Sequence, residues 1–163
     1  MLHTSGRHYT AIPGPSVIPD QVLQAMHQAG PNIYDPRQYE LMKGIQSDLK
    51  KVAGTGHQLA MYIANGHGAW EAALANLFNP GDKVLVLATG RFAHGWAVMA
   101  RSLGVETDII DFGLRAPIDQ QKVYDALSSD NNREYRAVLA CHVDTATSVL
   151  NDVQALRDTL DKI

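Results

Sequence analysis

The sequence predicts an α/β domain built as three layers, with helices on both faces of a largely parallel sheet. Three observations predict it. From Leu59 onward, apolar runs of strand length alternate with helical patterns. One run, Val84-Leu85-Val86-Leu87, is apolar at every position, as a strand covered on both faces must be. Each run is followed by enough chain for the crossover helix that joins parallel neighbours.

Residues 1–19 read as an irregular arm, because Pro13 and Pro15 fix φ and remove backbone donors. Asp20 to Ala29 reads as a helix with Val22, Leu23 and Met26 on one face, stopped by Gly30-Pro31. Asn32 to Pro36 reads as a loop. A longer helix to about Ala53 carries Tyr39, Met42, Ile45, Leu49 and Val52 at helical spacing, and Gly54-Thr55-Gly56 ends it. Leu59–Ile63 reads as a buried strand and Gly68–Phe78 as a helix, with Trp70, Ala73, Leu74, Leu77 and Phe78 on one stripe. Asn79-Pro80-Gly81-Asp82 is turn chemistry. Lys83–Ala88 is the doubly buried strand, and Phe92 to Leu103 is a helix closed by Gly104. Val105–Ile110 is the next strand. Asp119 caps a helix carrying Val123 and Leu127. Ala137–Cys141 is a further strand. After the loop from His142 to Leu150, Asn151 is expected to cap a last helix with Val153, Leu156 and Leu160.

Composition excludes several classes. Of 163 residues, 45% are hydrophobic and 19% charged, and the formal net charge is −3, which argues against a nucleic-acid groove. No apolar run approaches the ~20 residues of a membrane span, and residues 1–7 lack the apolar core of a secretory signal. Cys141 is the only cysteine, which suits a reducing, cytoplasmic setting. The seven histidines form no His-x-His or His-Glu-x-x-His spacing, so no metal site is expected.

Ligands of such sheets bind beyond the carboxyl ends of the strands. Three connections lie there: Ala64–Gly68, Thr89–Ala93 and His142–Ser148. They should share one site. Asn65-Gly66-His67-Gly68 joins a strand to a helix and points backbone N–H groups and the positive helix end at one spot, as a phosphate needs. A plain structural turn explains the same residues. It is not a dinucleotide fingerprint: the third glycine position falls on Glu71, and Leu87-Ala88-Thr89-Gly90 offers no acid for a ribose. No Gly-Lys-Ser/Thr is present. Phe92 starts a helix at the strand ends, where its ring could cover a planar ligand, although core packing is the plainer reading. Trp70 and Trp96 read as core, and Cys141 as a small buried thiol.

In order and with compatible gaps, these pieces resemble the N-terminal half of class V aminotransferases, pyridoxal-phosphate enzymes of the alanine–glyoxylate and serine–glyoxylate type. The matching words are Pro13-Gly14-Pro15-Ser16, Asn65 to Leu74, Asn79 to Val86, Thr89-Gly90-Arg91-Phe92-Ala93 and His142 to Ser148. The resemblance implies part of the large domain of a PLP-dependent transferase. It implies that Asn65, Gly66 and His67 hold the cofactor phosphate, Phe92 stacks on the pyridine ring, and Thr145 gives its hydroxyl to the ring oxygen. Gly14 would lie beside the substrate carboxylate. Cysteine desulfurases, the cousins, resemble a pattern with histidine on the ring, so Phe92 favours the aminotransferase branch. The substrates implied are an amino acid (alanine or serine) and an oxo acid (glyoxylate or pyruvate), and the implied assembly is a homodimer.

The family's ring-nitrogen aspartate and Schiff-base lysine come from later in its fold. None of Lys43, Lys50, Lys51, Lys83, Lys122 and Lys162 stands in the lysine's context. The chain by itself is therefore expected to be an inactive fragment with no catalytic residue of its own. An open sheet edge after the last helix is also expected to favour association. The alternative is a non-catalytic α/β module binding a phosphorylated metabolite or a partner chain.

Overall fold

The computed structural model describes Thr10, Ile12, Gly14 and residues 16–163. Pro13 and Pro15 of the predicted arm lie outside the described residues. The chain divides into two compact units, one ending at Tyr62 and the other running Ile63–Ile163.

Among its described residues the first unit carries two helices. α1 (Asp20–Met26) is shorter than the sequence predicts, with His27 as its C-cap. α2 (Pro36–Val52) starts on Asp35, whose carboxylate accepts the Arg37 N–H at 2.9 Å, with proline at the first helical position. It stops in a Schellman turn. Gly54 takes φ +61, the Thr55 N–H reaches the Lys50 carbonyl at 3.0 Å, and the Gly54 N–H reaches that of Lys51 at 3.2 Å.

Leu59–Ile63, predicted as a buried strand, is not one. It forms no ladder with any described strand, and Ile63 is fully exposed. A strand exists only with a partner to take its backbone groups, so an apolar run alone does not make one.

The second unit holds α3 (Gly66–Leu77), β1 (Lys83–Ala88), α4 (Arg91–Ser102), β2 (Glu106–Asp111), α5 (Gln120–Ser128), β3 (Tyr135–Ala140) and α6 (Val153–Leu160). The sheet order is β2-β1-β3, and both pairings are parallel. β1 is central, which explains its unbroken apolar run. Val84, Val86 and Ala88 pack on one face with Leu74 of α3 and Ala93, Ala97 and Ala100 of α4. Leu85 and Leu87 pack on the other with Ile118, Val123 of α5 and Leu156 of α6. The three buried alanines let α4 lie close to the sheet. α4 ends as predicted at Gly104, φ +80, with the Val105 N–H on the Ala100 carbonyl at 3.0 Å. Among the described residues no helix is long and apolar enough to cross a membrane.

The strand order creates a switch point. The chain leaves β1 for α4 on one face, and leaves β3 for α6 on the opposite face. The adjacent carboxyl ends of β1 and β3 therefore diverge and open a crevice.

At the sheet's other end, Lys83 Nζ lies 2.9 Å from Asp108 Oδ2, and the Tyr135 hydroxyl donates to the same oxygen at 2.6 Å. The Tyr135 bond, with Lys83 beside it, holds the Asp108 carboxyl below the usual range. Burial, then the Asp108 bond, pushes the Tyr135 hydroxyl up to about 12. A carboxyl depressed by folding stabilises above its unfolded pKa, and that stability fades as pH falls through the folded value. Asp108 is half exposed, so solvent screens the effect. Tyr135→Phe is expected to cost about 0.5 kcal/mol at neutral pH and nothing at acid pH, once Asp108 is protonated. Urea titrations at the two pH values check this, and an equal loss at both would refute it.

Candidate functional site

α3 begins on Asn65. Its side-chain oxygen accepts the N–H groups of His67 at 3.1 Å and Gly68 at 3.3 Å. Two of the amides predicted to face an anion are thus capped by the protein itself. The Gly66 N–H has no protein acceptor among the described residues. A Cβ on Gly66 would meet nothing within 4 Å, whereas one on Gly68 would collide with the Ala64 side chain. Gly68 is therefore a packing requirement, and Gly66 an open approach to the positive end of α3.

The β1–α4 connection is built around Asp144 of the β3–α6 loop. Asp144 is fully buried. Its Oδ2 accepts the Phe92 N–H at 2.9 Å and the Ala93 N–H at 3.1 Å, capping α4 from a distant segment, since Gly90 has no side chain to do so. Oδ1 accepts the Ala146 N–H at 3.0 Å. Thr147 Oγ1 donates to the Thr89 carbonyl at 3.0 Å.

Asn151 does not cap α6; its neighbour Asp152 does, accepting the Ala155 N–H at 2.9 Å. Asn151 is 2% exposed and ties three segments together. Its Nδ2 donates to the Cys141 carbonyl at 2.7 Å and to Thr89 Oγ1 at 3.0 Å, and its Oδ1 accepts the Ile118 N–H at 2.9 Å.

Between the first turns of α3 and α4 and the end of β3 lies a hollow of about 500 Å³, a size that suits a small ligand. Gly66, His67, Phe92 and Thr145 line it, so the three connections meet at one place. Asn65 stands beside it as the α3 cap. Gly14, exposed at φ +149 where glycine is favoured, belongs to the first unit.

Trp70 and Trp96, read from sequence as core, also line the hollow. They stack with ring centroids 5.4 Å apart and planes at 14°, and His67 and Phe92 complete an aromatic wall. The spacing carries a signal for both: Trp70 is four residues after Gly66 and Trp96 four after Phe92, hence on the same helix faces. The Trp96 Nε1–H is buried without a partner. Cys141 also lines the hollow; burial, then Asp144, pushes its thiol up to about 11, so it stays protonated at neutral pH.

These features fit pyridoxal phosphate. An open glycine N–H sits at a helix N-terminus, flat rings form one wall, and Thr145 lines the hollow from the β3–α6 loop.

The three-layer fold with its strand-end crevice is that of the PLP-dependent aminotransferases. It superposes on ureidoglycine–glyoxylate aminotransferase from Bacillus subtilis with TM-score 0.84 and 20% identity, over 98% of this chain and 41% of that one. Alanine–glyoxylate aminotransferase from Nostoc sp. gives TM-score 0.81 and 26% identity, over 98% of this chain and 43% of that one. In sequence the chain is 36% identical over 157 residues to serine–glyoxylate aminotransferase of Methylorubrum extorquens, covering 96% of this chain and 39% of that protein. It is 32% identical over 151 residues to L-aspartate–glyoxylate aminotransferase of Paracoccus denitrificans, covering 92% and 38%. No protein-family model matches. Over nearly its whole length the chain is thus similar to serine–glyoxylate and alanine–glyoxylate aminotransferases, and it spans about 39% of the length of the curated relatives it matches.

Proposed function

We propose that this chain supplies the phosphate- and ring-binding face of a pyridoxal-phosphate aminotransferase. The whole protein would move an amino group from an amino acid such as serine or alanine to an oxo acid such as glyoxylate. The observation that carries this reading is the meeting of Gly66, His67, Phe92 and Thr145 on one hollow at the strand-order switch. The Gly66 N–H, the Asn65 amide and the His67 ring would hold the phosphate at the positive end of α3. Phe92 would lie against the pyridine ring, with Trp70 fixing the Phe92 ring edge-on at 6.0 Å. Thr145 would hold the ring oxygen. When bound, the cofactor supplies the electron sink for bonds at the substrate's α-carbon. None of the lysines lines the hollow, and Lys83 is ion-paired to Asp108 at the far end of β1. By itself the chain would therefore bind the cofactor non-covalently and turn nothing over. The relatives' printed activities support this substrate class, and the exposed apolar residues of α2, Tyr39, Met42 and Val52, support a homodimer.

Thermal shift with pyridoxal phosphate and with inorganic phosphate tests the reading. The cofactor is expected to raise the melting temperature, and about 100 times its Kd should add about 2.7 kcal/mol. Gly66→Val should abolish the shift. Its own stability should change by no more than about 0.5 kcal/mol, because the valine meets open space. An equal response to both ligands would favour a phosphometabolite-binding module, and no response in the unsubstituted chain would sink the proposal.

A further inference from the structure

We infer that Asp144 is the positioning residue of this hollow: its carboxylate locks the 142–148 loop to the first turn of α4 and so sets the spacing between Phe92 and Thr145. The inference rests on the reading of the hollow as a pyridoxal-phosphate cleft. One oxygen holds the Phe92 and Ala93 N–H groups at 2.9 and 3.1 Å, and the other holds Ala146 at 3.0 Å, one residue past Thr145. The Asp144 carbonyl also accepts Thr147 N–H at 3.1 Å and Ser148 N–H at 2.8 Å, which closes the loop on itself. One buried group thus anchors the backbone on both sides of Thr145 and the backbone of Phe92.

The chemistry demands a carboxylate. Three N–H donors converge from two segments, and only a group that accepts at both oxygens satisfies all of them. An amide would turn an NH₂ against an N–H. The positive end of α4 adds attraction for the charge. Gly90 completes the device. A Cβ there would sit 2.5 Å from Oδ1 and 2.8 Å from Oδ2, so any side chain would push the carboxylate out of place. Gly90 is extended, at φ 171, and the requirement is space rather than backbone freedom.

The test uses this chain and its Asp144→Asn and Gly90→Ala variants, the second of which displaces the carboxylate while keeping its charge. Kd is measured for pyridoxal phosphate and for inorganic phosphate, with amide hydrogen exchange on the unliganded proteins. Both variants are expected to weaken pyridoxal phosphate about tenfold, because the two sides of the cleft are no longer held in register. Inorganic phosphate, which needs only the α3 turn, should change less than about twofold. Exchange at Phe92, Ala93 and Ala146 should quicken about tenfold. Asp119→Ala is the control for a purely structural cap: it strips α5 of a carboxylate that accepts the Gln121 and Lys122 N–H groups, and both affinities should stay put. Equal weakening of both ligands, no weakening of either, or the same split in Asp119→Ala would overturn the inference. If the unsubstituted chain prefers neither ligand, the cofactor reading fails instead. Exchange then decides the clamp: faster exchange in Asp144→Asn upholds it, and unchanged exchange overturns it.

Discussion

Asn151→Ala is expected to destabilise the protein by about 3–4 kcal/mol. The residue is buried and its three side-chain bonds have no substitute partners in view. Removing it strands the Ile118 N–H, the Cys141 carbonyl and the Thr89 hydroxyl. Each orphaned buried group costs about 1–3 kcal/mol, and the lost packing adds to that. The midpoint should fall by about 10 °C for a chain of this size. Aspartate should not rescue, because it keeps the acceptor for Ile118 but loses both donors and buries a charge. The knot joins the end of β1, the end of β3 and the chain entering α5. Its loss should therefore also loosen the crevice where Phe92 and Thr145 stand. Thermal unfolding of both variants measures this. A drop under about 2 °C would mean that water replaces the amide, and that the knot matters less than its geometry implies.

How much of this was legible depends on where each bond originates. β1 was read to the residue, because a strand covered on both faces must be apolar throughout, and Leu85 and Leu87 do face away from Val84 and Val86. Asp119 and Gly104 were legible because a cap is satisfied within one turn of chain. Leu59–Ile63 was misread because a strand's identity lies in its partner. Asn151 and Asp152 are both good capping residues side by side, and local chemistry does not rank them. Three tertiary hydrogen bonds decide it by drawing Asn151 inward. Asp144 was equally invisible, since nothing near it in sequence announces that it caps α4 from fifty residues away. The meeting of Thr145 with Phe92 followed from the rule for strand ends in parallel sheets, whereas Gly66 joins them from the start of α3 with no strand before it.

Leu74→Ala is expected to cost about 3 kcal/mol and, on the proposed reading of the hollow, to weaken pyridoxal phosphate binding with it. Leu74 is the one fully buried residue of α3, whose remaining apolar contacts are half-covered. It sits in the cluster with Val84, Val86 and the α4 alanines, so truncation leaves a void between helix and sheet that rigid strands cannot close. α3 would then be held mainly by the Trp70–Trp96 stack. Because Asn65, Gly66 and His67 form its first turn and cap, a helix that loosens carries the phosphate end of the hollow with it. Leu77, on the same predicted stripe, is 69% exposed, and Leu77→Ala should stay within about 0.5 kcal/mol. Urea denaturation and exchange at the α3 amides separate global from local loss. If Leu74 and Leu77 behave alike, α3 docks through a broader face than Leu74. Its hold on the site would then have to come from the aromatic stack.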